Sequence, residues 1–339
     1  MLIPGDSHED LLLGPTLTTS PGNPPVIHML FTTTDRFGHD TIGDVVYRTS
    51  TDLCATLSAP AMPPGLQARV GADGVVEAAG LGMVHHPQTD CILGIGALTR
   101  YRNGEVIGGY THRAIAYAVL DLAGGAWSPW RTFQPPGAVY GTNPAFQPCP
   151  QLHVFEDGDV LVPFQWCKEG GDNRRMWSGT VRCAFDGITL LPKAVGNAHS
   201  IPVGRGLYEP ELIEWRGRFY MTLRAEDKRG YLTQSDDGLH WSIPTPWRWD
   251  NGEEIAMDQT QTRLLAHSNG LLLVYTRIRE DNGNVFRHRA PLHCAELDPD
   301  TFCVRRATER ILFANKGLPM GNFSVCPVTP EESWVGVAE

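Results

Sequence analysis

One pattern recurs along this chain of 339 residues: a polar entry, an apolar strand, a tight turn with glycine, and a second apolar strand. It reads as CPQLHVFEDGDVLVPFQ over 149–165, EPELIEWRGRFYMTLR over 209–224 and QTRLLAHSNGLLLVYTR over 261–277. Looser copies are GLGMVHHPQTDCILGIGA over 80–97 and FSVCPVTPEESWVGVAE over 323–339. The turn glycines Gly158, Gly217 and Gly270 stand 59 and 53 residues apart, so about six units fill the chain. That period is too long for common forty-residue propeller repeats and wrong for helical solenoids, and it suits a propeller blade with generous loops. Asp157-Gly158 and Asn269-Gly270 are read as hairpin turns, because such pairs tolerate the positive φ of a type I′ turn.

No stretch keeps apolar residues at helical spacing across several turns. With 36 glycines and 26 prolines, the composition favours turns over long helices. The expectation is an all-β protein, a six-bladed propeller of four-stranded antiparallel blades forming one domain over 1–339. The segment around Leu11–Leu17 is expected to pair with the last blade and close the ring, which protects sheet edges. The competing architecture is a pair of β-sandwich domains.

Lys and Arg number 28 against 38 Asp and Glu, a formal charge of −10. An acidic surface repels a phosphate backbone, so no nucleic-acid partner is expected. No apolar run approaches the roughly 18–20 residues of a helical span, so no membrane partner is expected either. The eight cysteines show no C-x-x-C pair and no zinc-type spacing. They read as buried free thiols with no metal, which favours a reducing, cytoplasmic compartment. The N-terminal MLIPGDSHEDLLLGP lacks the basic and apolar regions of a signal peptide. No Walker loop, dinucleotide glycine fingerprint, G-x-S-x-G or H-E-x-x-H is present, and no cofactor is expected.

The stretch SDDGLHWS, Ser235–Ser242, resembles the Asp-box turn of the sialidase superfamily. In such a box the Asp side chain caps its own turn, Gly supplies the bend and Trp packs between strands. STDLCATLSAP, Ser50–Pro60, is similar to a decayed copy: Ser50, Asp52 and Thr56 match, while Leu53, Cys54 and Leu57 replace the two glycines and the Trp. The order of further landmarks strengthens the resemblance. Asp40, in GHDTIGDVVYRTSTD, looks like the acid/base Asp preceding the first box. Glu209, in YEPELIEW, looks like the Glu opening a middle blade, and Arg224, 15 residues on, like the second arginine of the family's triad. Arg289, in RHRAPL, resembles the third, with Arg287 and Arg277 as rivals. Two landmarks depart from the family: Leu13 stands where the first arginine belongs, and Phe323-Ser324 represents the tyrosine-serine that supplies the nucleophile.

Propeller sites form at one mouth of the ring, where inner strands from different blades converge. Asp40, Gln151, Glu209, Gln261, Arg263 and Asn322 stand at blade entrances, suited to a pocket for one terminal sugar. Glycoside hydrolysis needs an acid for the leaving oxygen and a base or nucleophile opposite. The reading assigns Asp40 as acid and Glu209 as base, with water in place of the missing tyrosine and an inverting outcome. Asp40 as a turn cap and Glu209 as an ion-pair partner of Arg224 are the structural alternatives. Arg224, Arg289 and Arg287 would clamp a carboxylate or sulfate through forked hydrogen bonds. Arg287 and Arg289 could equally lie at alternate strand positions and face solvent.

The expected activity is therefore an exo-glycosidase acting on a terminal anionic sugar, a sialic acid or a uronic acid. A uronate lyase is the second enzymatic reading, with His39 or His85 and Tyr208 moving a proton beside Arg289; His112 is a further histidine of that kind. A non-catalytic carbohydrate-binding propeller is the third.

Overall fold

The computed structural model describes residues 11–34, 42–107, 114–133, 135, 145–167 and 175–338. They form six sheets of three, seven, five, four, six and two strands, in chain order. Neighbouring strands are antiparallel apart from one parallel pair, Arg248–Trp249 with Cys303–Val304. Among the described residues only two short 3-10 turns, Phe286–His288 and Arg306–Thr308, interrupt the β-structure. None of the helices is long and apolar enough to cross a membrane.

The apolar runs of the hairpins are explained by burial on both faces of each sheet. Alternate residues of a strand point to opposite faces, and each face meets a different neighbour. Val160, Val162 and Phe164 of the third sheet pack against Leu93, Ile95 and Ile115 of the second. Leu161, between them in sequence, packs instead against Leu212, Phe219 and Met221 of the fourth. Tyr220 and Leu232 of the fourth meet Leu264, Leu271 and Leu273 of the fifth, and Val274 and Leu292 of the fifth meet Phe323 of the sixth. Leu30 and Val45 of the first sheet meet Leu81 and Ile92 of the second. The circuit closes where Ile27, Met29 and Phe31 of the first sheet bury against Cys326 and Val328 of the sixth. Each sheet is sandwiched between two others, which is a propeller-like arrangement.

The hairpins are those the sequence announces, with turns that differ in detail. Trp215 pairs with Arg218, leaving Arg216 (φ 54°) and Gly217 (φ 78°) as a two-residue type I′ loop. The Asp157-Gly158 turn is longer: the Phe155 N–H donates to Asp159 O at 2.8 Å and Gly158 takes the left-handed position at φ 84°. Asn269-Gly270 is not itself the turn. His267 pairs directly with Gly270, so Ser268 and Asn269 form the loop and Gly270 begins the next strand. The strand Leu11–Ser20 departs from expectation as well. It hydrogen-bonds Val26–Thr34 within the first sheet, the two strands forming an antiparallel hairpin. The link from the first sheet to the last is side-chain packing.

The turn at Ser235–Ser242 is held by its own polar side chains. Ser235 Oγ donates to Asp237 Oδ1 at 2.9 Å, and that carboxylate accepts the N–H groups of Leu239 and His240 at 2.8 Å each. Burial disfavours the charge of Asp237, but these bonds dominate and hold its carboxyl well below the usual range. Trp241 is buried and donates its indole N–H to Thr180 Oγ1 at 2.9 Å, tying the fourth sheet to the third. The Ser50–Pro60 turn keeps the same logic without its glycines. Ser50 Oγ donates to Asp52 Oδ1 at 2.8 Å and Thr56 Oγ1 to Asp52 Oδ2 at 2.6 Å, while Leu53 and Cys54 adopt φ of 53° and 62°.

Candidate active site

The fourth sheet carries the centre of the site. Tyr208 pairs with Arg224 and Glu211 with Thr222. Glu209 and Pro210 thus stand opposite Leu223 alone, which is a β-bulge. Pro210 has no N–H for the ladder, and Glu209 adopts φ 51°, a left-handed conformation that costs a non-glycine residue about 1 kcal/mol or more. The buried Gln165 of the third sheet holds it there, its Oε1 accepting the Glu209 N–H.

The bulge turns the Glu209 side chain onto Arg224. One guanidinium nitrogen, Nη1, donates to both carboxylate oxygens, at 2.8 and 2.7 Å. The two side chains are 16% and 6% exposed respectively. Burial pushes the Glu209 carboxyl up, but Arg224, with Arg205 and Arg289 behind it, outweighs that and holds it below the usual range. Burial likewise pulls Arg224 down, and Glu209 and Tyr208 reverse the sign. Arg224 and Arg205 both lie over the Tyr208 ring, at 4.8 and 4.3 Å from its centroid. Arg205 Nε donates to Glu226 Oε1 at 2.6 Å, and its Nη2 donates to the Tyr208 hydroxyl at 2.9 Å. Tyr208 is buried, and burial raises its pKa.

Beneath this pair lies a second one. Glu211, 1% exposed, pairs with Arg263 Nη1. Arg263 Nε donates to Phe323 O at 3.2 Å and Nη2 to Gln261 Oε1 at 3.4 Å. The Gln151 N–H donates to Glu211 Oε2 at 3.2 Å and its Nε2 to Leu264 O at 2.8 Å. Residues at the entrances of the third, fourth, fifth and sixth sheets are thereby tied together, and Gln151, Glu209, Gln261 and Arg263 meet at one end of the ring. Arg263 is locked into this buried network, where burial lowers its pKa to about 10.

Arg289 lies in the loop that leads into the strand Leu292–Leu297 of the fifth sheet, and its charge helps hold the Glu209 carboxyl below the usual range. Its carbonyl accepts the Met320 N–H at 2.7 Å. Asn322 is exposed and leads into Phe323, which is 2% exposed and part of the core. Arg287 is not on a strand. It lies in the 3-10 turn Phe286–His288 at φ 53°, so it does not alternate with Arg289 along a strand, and its guanidinium lies 4.8 Å from the ring of the exposed Phe286. The buried Asn282 fastens this loop: Oδ1 accepts the Arg279 N–H at 2.9 Å, and Nδ2 donates to Arg277 O and Ala290 O at 2.9 and 2.8 Å.

Asp40, His39 and His112 lie outside the described residues. On either side of 35–41, the Gly43 N–H donates to Thr33 O at 2.8 Å, and Leu13 pairs with Thr32. An apolar cavity of about 210 Å³ lies beside these residues, lined by Gly14, Thr32, Ile42 and Gly80 among others. A larger, open trough of about 680 Å³ runs along Arg277–Asp281 and does not include Glu209 or Arg224. His85 is not brought to Glu209. It sits at the far end of its strand, 3.5 Å from Asp90, beside His86, whose Nε2 contacts Gly158 O in the turn remote from Gln151. Among the described residues no cluster of three His, Cys, Asp or Glu side chains is placed to hold a metal.

Gln165, Arg205, Glu211 and Asn282 were not singled out from sequence. Glu211 had a signal, a charged residue set directly before the apolar pair Leu212-Ile213 and costly to bury unless paired. Pro210 had another, since proline within a sheet marks a bulge or an edge.

No family model matches the chain, and no curated protein matches it. Solved structures do. A Hadza microbial sialidase matches with a TM-score of 0.68 at 12% identity, over 97% of this chain and 63% of that one. A point mutant of the NanB sialidase of Streptococcus pneumoniae matches with a TM-score of 0.69 at 11% identity, over 99% of this chain and 67% of that one. A Dyadobacter fermentans protein of unknown function matches at 0.68 and 14%, over 97% and 90%. These likenesses establish the fold, all-β and shared with sialidases. The chain spans less than two thirds of the length of the first of them.

Proposed function

We propose that this protein is a glycoside hydrolase built on a sialidase-like propeller, exo-acting on a terminal anionic sugar of a glycan, a sialic acid or a uronic acid. In this reading the three-stranded and two-stranded sheets are blades too, giving six, and one domain covers 1–339. The observation that carries it is the carboxylate–guanidinium pair of Glu209 and Arg224 at the end of the ring where several sheets converge, with Arg205 and Arg289 close by. In a chain of net charge −10, such a group of guanidiniums fits recognition of a carboxylate or sulfate. Asp40 serves as the acid that protonates the leaving oxygen, and Glu209 as the base that activates water. Phe323 is buried apolar core and carries no nucleophilic atom, so water attacks directly and the configuration inverts. Arg289 and Arg287 complete the anion clamp; Gln151, Gln261, Arg263 and Asn322 shape its floor and rim.

The lyase reading has less support, since His85 lies at the other end of its strand and the Tyr208 hydroxyl is enclosed by Arg205 and Glu226. The test is a screen of aryl glycosides and acidic oligosaccharides, followed both by reducing ends and by the ultraviolet absorbance of an unsaturated product. Hydrolysis gives reducing ends alone, and a lyase gives both signals. Binding without either signal leaves the carbohydrate-recognition reading.

A further inference from the structure

The two carboxylate–guanidinium pairs on the strand Tyr208–Trp215 differ in completeness. In Glu211–Arg263, Nε and Nη2 donate to Phe323 O and Gln261 Oε1, and Nη1 makes an ion-pair contact with the carboxylate without a hydrogen bond of its own. All three nitrogens of Arg263 thus face an acceptor group. Glu209–Arg224 is engaged differently. A single nitrogen serves both carboxylate oxygens, and Arg224 Nε is buried with no hydrogen-bond acceptor among the described residues. The side chain that holds this unmatched donor is itself 6% exposed. Leaving a charged donor buried and unmatched costs about 1–3 kcal/mol, and a ligand oxygen brought to it removes that cost. Glu209 also sits on a strained bulge, so the resting contact is bought at the expense of the backbone.

We propose that the Glu209–Arg224 contact is the resting form of the site, and that the anionic group of a bound sugar takes Arg224 into a two-nitrogen fork and releases the Glu209 carboxylate. This rests on the reading of Glu209 and Arg224 as the site. The ligand class is a sugar whose carboxylate or sulfate offers two oxygens in the plane of the guanidinium. The groups facing Glu209 are Arg224 from its own hairpin, Tyr208 beside it, Arg205 from the preceding loop, Arg289 from the loop before the strand Leu292–Leu297, Arg263 beneath it and the thiol of Cys149 from the third sheet. Among the described residues, Arg224 holds the carboxylate by hydrogen bonds to both of its oxygens. Losing it leaves burial as the dominant influence and makes Glu209 a stronger base. The anion that positions the sugar thereby arms the group that activates water.

Competition of this kind is reciprocal. Glu209→Gln removes the competing charge and is expected to bind D-glucuronate or N-acetylneuraminate about tenfold more tightly than the wild type. In protein carrying ¹³C-carboxyl glutamate, with the Glu209 signal assigned by its loss in that variant, saturating sugar acid is expected to raise the titration midpoint of Glu209 by about one unit, a tenfold change in proton affinity. D-glucose is expected to do neither. If the sugar acids bind but Glu209→Gln binds them no better and the wild-type midpoint stays fixed, the exchange is wrong while the anion site stands. If neither acid binds wild type or variant, the exchange and the reading of the site fall together.

Discussion

Gly321 stands against the guanidinium of Arg289 so closely that a methyl group on its Cα would lie 2.4 Å from Nη1. The segment leading into the sixth sheet thereby makes room for an arginine carried by the loop that leads into the strand Leu292–Leu297 of the fifth, at the end of the ring where Glu209 and Arg224 meet. Gly321→Ala is expected to push the arginine aside, since the obstructing atoms are the far end of a flexible side chain. Affinity for an anionic sugar should fall about tenfold, as expected for a lost charge-assisted hydrogen bond, with little change in melting temperature. Isothermal titration and thermal unfolding of the same preparation check both. An unchanged affinity separates Arg289 from the ligand.

The same substitution made two residues apart should have opposite consequences. Glu211→Gln leaves Arg263 buried without its counter-ion and is expected to cost about 3–5 kcal/mol, read as a lower urea midpoint. Glu209 is the less buried carboxylate, 16% exposed against 1% for Glu211, and Glu209→Gln is expected to change stability by less. If Glu209→Gln is the more damaging to the fold, the division between a structural pair and a working pair is wrong.

Stability is expected to decline between about pH 6.5 and 4, before most carboxylates titrate. His28 is buried, with Nε2 2.8 Å from Ser20 Oγ and Nδ1 2.6 Å from Tyr47 Oη, and burial, with the nearby His85, lowers its pKa to about 4. His293, enclosed beside Tyr275, is lowered to about 4 chiefly by burial. Both are neutral in the folded protein above that value, while the unfolded chain takes up protons from about 6.5 downward. The stabilisation is complete above 6.5 and is lost as pH falls to 4, by at most about 3 kcal/mol per histidine. Urea midpoints across this range test it, and a His28→Asn variant should show a shallower slope. A flat profile would mean that these imidazoles ionise in the folded state.

Asp237→Ala removes the acceptor for two backbone N–H groups and a serine hydroxyl in the Ser235–Ser242 turn. A loss of about 1–2 kcal/mol is expected, seen as a lower melting temperature with turnover unchanged at a temperature where the variant is folded. A selective loss of turnover would place this turn nearer the chemistry than its hydrogen bonds do.

Much of this fold is legible before any coordinates. Stretches such as 160–164 and the strand Gly270–Tyr275 read as apolar runs because alternate side chains enter different cores. The 15-residue interval between Glu209 and Arg224 is a hairpin whose two ends come together, Tyr208 pairing with Arg224, and the bulge at Glu209-Pro210 completes the contact. What sequence did not convey is set by register and by packing across sheets. The left-handed Glu209 exists because Gln165, 44 residues earlier, captures its N–H. Asn269-Gly270 has the composition of a turn, yet the pairing of His267 with Gly270 shifts the turn back one residue. Arg287 lies in a 3-10 turn because Asn282 gathers the backbone of that loop around its amide.

The central claim is that Glu209 and Asp40 share the hydrolysis of one terminal anionic sugar. The most direct measurement is kcat on the best substrate of the glycoside screen for Glu209→Gln and Asp40→Asn, beside their melting temperatures. The account predicts that each variant melts close to the wild type and loses turnover by about 10²–10⁴-fold, the scale of general acid–base catalysis. Turnover at the wild-type rate in either variant would contradict it.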